Sequence, residues 1–269
     1  MVFNHQIKRG FITGHPATAQ YTEEQQTSEL EDCALAREAL KTGEYAAAEE
    51  LLDTLANEGN LTAKVDLALL HLRELVESPD FDFAITLLDE ASTSGMPMAS
   101  AQLGAAYEEG KGTPQNTSLA LKYYLIAANQ GDPDGMFNAG RCYLLGIGTE
   151  QHTANAMIWL GQAAHQDHKL ACYWVGGIYS DGQYVVADQA MASNFYERGA
   201  TLGHSYCQNK LGIMYRDGVG RGANLEQSWN LFWLSANSGN EWGQFLLGEM
   251  YLNGTYVEQD IDHASRSAS

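Results

Sequence analysis

Residues 100–131 read SAQLGAAYEEGKGTPQNTSLALKYYLIAANQG, and most of the chain either repeats this stretch or degrades it. Its Leu103-Gly104 pair returns as Ala139-Gly140, Val175-Gly176, Leu211-Gly212 and Leu247-Gly248, shifted by 36 residues each time without insertion or deletion. Tyr107 returns on the same step as Tyr143, Tyr179, Tyr215 and Tyr251, and Gly110 as Gly146, Gly182, Gly218 and Gly254. A fixed period of this size is the mark of stacked structural repeats, each burying its apolar side on the next.

Within a unit the residues order themselves on helices. Around Leu103, a turn of about 100° per residue gathers Ala99, Ala106, Tyr107 and Gly110 into one broad stripe, which makes the first half of the unit helix A. Gly104 lies beside the stripe, where a missing side chain lets a neighbouring helix come close. Gly110 and Gly112 end helix A and open a loop. Helix B starts near Asn116 or Thr117, buries Ala120, Tyr123, Tyr124, Ala127 and Ala128, and is closed by Gly131. Small columns (Ala48, Ala84, Ala120, Ala156, Ala192, Ser228) alternate with large ones (Tyr124, Leu160, Tyr196, Phe232), as tight helix crossing requires. The predicted fold is all-α, an α-α superhelix or solenoid of about seven hairpins of 36 residues.

Working outward, residues 1–27 show no helical period and are expected to be an irregular lead-in. Residues 28–96 hold the register in degenerate form, with His71 and Glu74 where Tyr and Gly belong. Residues 97–269 carry four full units and an incomplete last one. In that last unit Ser265, Ser267 and Ala268 replace the large apolar positions of helix B, so Leu247, Met250 and Tyr251 are expected to be partly uncovered and to favour self-association through the C-terminal repeat.

A net charge of -19 argues against nucleic acid and against anionic membrane surfaces, both of which require clustered Lys and Arg. It favours a basic protein partner. No window is long and apolar enough for a membrane span, and the N-terminus lacks the apolar run of a signal peptide, so a cytoplasmic location is expected, or a periplasmic one if a leader preceded the sequence. The four cysteines, Cys33, Cys142, Cys172 and Cys207, share no spacing and are expected to be reduced.

The run LGAAYEEGKGTPQNTSLALKYYLIAANQG resembles a Sel1-like repeat, with YxxGxG after LG and then A-x-x-Y/W-Y/F-x-x-A-A-x-x-G. Gly43-Glu44-Tyr45 followed by Ala48 resembles the related tetratricopeptide hairpin. The resemblance implies paired antiparallel helices in a curved superhelix that serves as an adaptor or scaffold. Bacterial members include immunity proteins that neutralise a secreted toxin or effector; cysteine-rich secreted members are linked with β-lactam hydrolysis, but their paired cysteines are missing here. Two departures stand out: the loop DGQYVVADQ lacks the second glycine, and the last unit lacks an apolar helix B.

The face of helix A opposite the stripe carries the candidate protein-binding residues: Trp174, Tyr206 and Trp242, with Arg141 nearby, and Phe137 and Tyr173 in a column that packing between units also explains. Trp, Tyr and Arg are the residue types that dominate interface energetics. Reversing the charge of Arg141 together with Trp174→Ala is expected to weaken partner binding without changing helical content. The acidic residues Glu108, Glu109, Asp181, Asp217 and Glu249 are read as a solvated face or a surface for the basic partner. His165, Asp167, His168 and His204 are read as residues of the turns between units rather than zinc ligands, and Gly110-Lys111-Gly112-Thr113 as a repeat turn rather than a phosphate loop. No metal, cofactor or catalytic set is expected, and GxSxG and HExxH are both missing. The function expected is a non-catalytic protein-interaction module binding one partner on its curved surface, as an immunity protein, with a signalling or envelope scaffold and a β-lactamase-like hydrolase as alternatives.

Overall fold

A computed structural model describes residues 23–256. Among them the chain forms thirteen α-helices and no strand. They run α1 (Glu23–Thr42), α2 (Tyr45–Asn57), α3 (Leu61–Leu72), α4 (Phe81–Thr93), α5 (Pro97–Glu109), α6 (Thr117–Asn129), α7 (Pro133–Leu145), α8 (Thr153–His165), α9 (Lys169–Asp181), α10 (Gln189–Thr201), α11 (Ser205–Asp217), α12 (Leu225–Asn237) and α13 (Glu241–Asn253). Odd helices are the A helices of the repeat and even helices the B helices. α1 begins at Glu23, inside the stretch expected to be irregular. The run Glu23-Glu24-Gln25-Gln26 is a good helix former, and acidic residues suit a helix N-terminus. Residues 1–22 and the last unit's helix B, placed by its sequence beyond residue 260, lie outside the described residues.

Each unit starts and stops its helices with the same chemistry. Ten helices, α3, α4 and α6 to α13, have an Asn, Asp or His N-cap whose side chain accepts from the amide three residues on. The cap satisfies one of the amides that a helix start leaves orphaned. α5, α7, α9, α11 and α13 each end on a glycine in the left-handed region. The A–B loop is then closed by one recurring bond, in which the N–H of Asn116, His152, Asp188 or Asn224 donates to the carbonyl of Tyr107, Tyr143, Tyr179 or Tyr215, at 2.8 to 2.9 Å.

The histidine caps are unusual because a neutral imidazole must accept. His204 Nδ1 accepts from Cys207 N–H at 3.3 Å, and burial, with the Lys169 charge nearby, holds its pKa below the ordinary histidine value. A base with a depressed folded pKa stabilises the fold fully above its unfolded pKa, about 6.5, and loses that contribution as pH falls through the folded value. His204→Asn keeps an acceptor and removes the titration. The variant should therefore match the parent in urea unfolding at pH 8 and exceed it by about 1 kcal/mol well below pH 6; a constant difference across that range would refute the role.

Packing follows the columns. A Cβ added at Gly104, Gly140, Gly176 or Gly212 would lie 2.5 to 2.7 Å from the side chain of Tyr124, Leu160, Tyr196 or Phe232, so the glycine lets each B helix press its large residue directly onto helix A. Tyr124, Tyr196 and Phe232 are among the largest fully buried side chains, and the small column from Ala48 to Ser228 is wholly buried. Units also touch through their odd helices, α5 with α7, α9 with α11 and α11 with α13. Closer approach on that side curves the stack toward it, making the row of odd helices the inner wall.

One expectation changes here. Leu247 and Met250 are buried, at 6% and 2% exposure, because Phe232, Leu246 and the half-buried Trp229 and Trp242 gather over them. The uncovered patch that motivated self-association through the last repeat is therefore not present at these two residues. In the degenerate unit, Glu74 takes the glycine's left-handed place at φ 57°, and His71 is buried where Tyr belongs, its Nδ1 accepting from Asp80 N–H at 3.0 Å.

Candidate partner-binding groove

The unit at residues 169–204 breaks the repeat in three columns, and all three breaks meet at one place. The first is at Gly177. The corresponding residues are Ala105, Arg141, Ile213 and Glu249, so glycine is not a repeat requirement. Nor is it a packing requirement, since a Cβ there would meet only Tyr196 Oη, at 3.8 Å. The missing side chain leaves a hollow on the inner face of α9.

The second is Tyr184, in a column that is glycine at Gly112, Gly148 and Gly220 and tyrosine again at Tyr256. In those units the glycine folds the turn onto the preceding B helix; a Cβ at Gly148 would lie 2.1 Å from the Thr117 carbonyl oxygen, and one at Gly220 2.2 Å from that of Gln189. Tyr184 does not take the glycine's left-handed place, although Tyr256 in the same column does, at φ 72°. Lys111, Ile147 and Val219 each donate an N–H hydrogen bond to a carbonyl five residues back; after α9 Gln183 makes no such bond, and only the Gly182 N–H bond to Ile178 O, shared by all these helix ends, is kept. The diverted loop packs Tyr184 and Val185 partly against the core and leaves Val186 90% exposed. The third break is Trp174, in a column otherwise Gln102, Asn138, Lys210 and Leu246.

Gly177, Tyr184 and Trp174 line a groove of about 240 Å³ with Tyr173, Leu145 and Lys210, and Asp181 stands on its rim. Trp174 is half-buried, edge-on to Phe137 with ring centroids 5.7 Å apart. Toward the C-terminus the aromatic surface continues from Tyr173 to Tyr206 at 6.0 Å and on to Trp242 at 6.3 Å. Tyr206 is 48% exposed, and Lys210 Nζ sits 5.5 Å over the Trp242 ring. Among the described residues Asp181 is exposed and has no ion-pair partner, so its carboxylate is available.

Two of the six candidates fall out of this surface. Phe137 is buried, its ring stacked on His168 at 4.7 Å, and serves packing between units. Arg141 is half-buried and ion-paired with Glu108, whose Oε2 also accepts from Tyr124 Oη at 2.8 Å. Burial raises the cost of ionising Glu108, but the Arg141 guanidinium and the Tyr124 hydroxyl outweigh it and hold the carboxyl below its usual range. Charge reversal at Arg141 would set two carboxylates together and damage the fold, so Arg141 cannot be a neutral probe of binding. Trp174, Tyr173, Tyr206 and Trp242 do lie together on the inner face. Gly177, Tyr184 and Lys210 were missed as site residues, although Gly177 and Tyr184 are visible in the sequence as column breaks.

The histidines do not converge. His168 Nδ1 accepts from Ala171 N–H while Nε2 faces Asp134 at 3.0 Å, and Asp167 pairs with Arg198. No group of three His, Cys, Asp or Glu among the described residues is arranged to hold a metal. Cys142, Cys172 and Cys207 are all buried; burial pushes the Cys142 thiol up to about 11 and raises that of Cys207 further.

The same architecture occurs in solved structures. A protective antigen of uropathogenic Escherichia coli displaying an SLR fold matches at TM-score 0.74 and 27% identity, over 92% of this chain and 56% of that one. A Sel1 repeat protein from Oxalobacter formigenes matches at TM-score 0.69 and 29% identity, over 76% of this chain and 59% of the other. The present chain thus spans less than two thirds of the length of either. An immunity protein of Pseudomonas aeruginosa matches at TM-score 0.56 and 17% identity over 77% of this chain and 81% of its own, a likeness of fold alone. Comparison with curated proteins finds no match. The Sel1 repeat family model matches residues 97–132, 133–168, 169–204, 205–240 and 243–264, the first four being the units set by the period. With more than half its length so matched, the chain belongs to the Sel1 repeat family.

Proposed function

We propose that this protein is a non-catalytic binding module that holds one protein partner against the wall of odd helices, with the groove over Gly177 as the anchoring point. The observation that carries this is the convergence of three column breaks, Trp174, Gly177 and Tyr184, on one groove in one unit. A scaffold for several equivalent partners would present the same surface in every unit; here Trp174, Gly177 and Tyr184 depart from their columns together in one unit. The buried thiols are poor nucleophiles because the thiolate is disfavoured there, which supports a binding rather than a catalytic reading. The finer reading is that the partner is a secreted toxin or effector that the module masks, and the net charge of -19 suits a cationic one.

Gly177→Leu fills the groove from its floor, its Cβ meeting only Tyr196 Oη, at 3.8 Å. Titration calorimetry with the partner purified from the native source should give one partner per chain for the parent and an affinity at least about tenfold weaker for Gly177→Leu, with unchanged circular dichroism. Several partners per chain, or equal affinity for the filled variant, would overturn the reading.

A further inference from the structure

The chemistry of the partner's contacting segment follows from what the wall can and cannot offer. Its surface is made of helices, whose backbone groups are bonded within each helix, so it has no strand edge on which an extended ligand could form a ladder. An extended ligand must therefore be one that needs no ladder. A polyproline II segment meets that condition: it has no internal hydrogen bonds, its carbonyls stay solvated, and proline has no N–H to leave unpaired. Such segments dock in aromatic-lined grooves, and here Tyr173, Trp174, Tyr184, Tyr206 and Trp242 supply the aromatic surface.

The spacing agrees. Touching helices sit about 8–10 Å apart, and polyproline II advances about 3.1 Å per residue, so three residues, one full turn of that ligand, step from α9 to α11, which touch. Side chains on one edge of the ligand would face successive units in register. The hollow over Gly177, about 240 Å³, falls below the range of small-molecule sites, about 300–1,000 Å³, and suits one bulky side chain. The free carboxylate on its rim is Asp181, the cation of the lining, Lys210, is engaged over the Trp242 ring, and the chain carries a net charge of -19, so the ligand's charge should be positive.

We propose that the groove holds an extended, proline-rich, basic segment of the protein partner, with one bulky apolar side chain seated over Gly177 and a basic one against Asp181. This rests on the reading that the wall of odd helices is the partner's seat.

The test is to pan a random dodecapeptide phage library against the full chain, with counter-selection on Gly177→Leu. The surviving clones should be enriched in proline and in Lys or Arg, with an apolar residue at a fixed distance from the basic one. A synthetic peptide of the enriched sequence should bind Gly177→Leu and Trp174→Ala about 10- to 30-fold more weakly than the parent. Asp181→Asn should weaken it about two- to fivefold at low salt, and the deficit should shrink as salt rises. Survivors without proline enrichment, acidic survivors, or none at all would overturn the inference. If Gly177→Leu loses the native partner while the survivors lack proline, the wall remains the seat and only this inference falls. If the native partner also ignores Gly177→Leu, both fall.

Discussion

Truncating Phe232 to alanine should destabilise the C-terminal units by about 3–5 kcal/mol, the largest loss expected from a single side chain in this fold. Phe232 is fully buried in a separate cluster with Leu246, Leu247 and Met250, and its ring fills the space that Gly212 leaves open on α11. Alanine would vacate the centre of that cluster, and its neighbours lie on rigid helices that cannot close the void. Because a solenoid's stability is close to a sum of units and nearest-neighbour interfaces, the damage should be local. Hydrogen exchange should show α11, α12 and α13 losing protection while α5 to α8 keep theirs. A uniform loss along the chain would show that the units are coupled more globally than their contacts indicate.

The second large effect compares two adjacent glycines. Gly176→Ala should destabilise by about 1–3 kcal/mol, because its Cβ would lie 2.7 Å from ring carbons of the buried Tyr196 and overpack the α9–α10 crossing. Gly177→Ala should instead stabilise by about 0.5–1 kcal/mol, the ordinary gain from replacing a mid-helix glycine, since its Cβ enters open space. Urea unfolding at constant m-value separates them: the midpoint should fall for Gly176→Ala and rise for Gly177→Ala. A fall for both would mean that Gly177 is structural after all, and the argument for a groove kept open at some cost in stability would fail.

The contrast also shows how far the sequence could be read. Gly176 was legible because it recurs every 36 residues opposite a recurring large residue, so its structural role is written once per unit. The glycines that end the odd helices and the buried small columns were legible for the same reason. α1 was misjudged at its start because residues 23–27 lie before the period begins, where only local helix propensity speaks.

Arg141 shows what the period hides. In sequence it looks like an exposed cation beside aromatic residues; in space Glu108, 33 residues earlier, captures it together with Tyr124. Leu247 and Met250 were likewise judged by the helix that should follow them, whereas Phe232 and Trp229 from the preceding hairpin already gather over them. Which of two neighbouring elements covers a residue depends on side-chain reach across a crossing, and column arithmetic contains no such distance.

The sequence alone determined the all-α stack, its 36-residue unit and the unit boundaries, because these arise from short-range patterns that every unit restates. Only the tertiary structure decided where the wall opens. The groove draws on α7, α9, the loop after α9, α10 and α11, so its volume depends on the relative placement of five segments. A missing side chain at Gly177 becomes a cavity only when the surrounding elements do not collapse into it, and that is a property of packed helices rather than of any column.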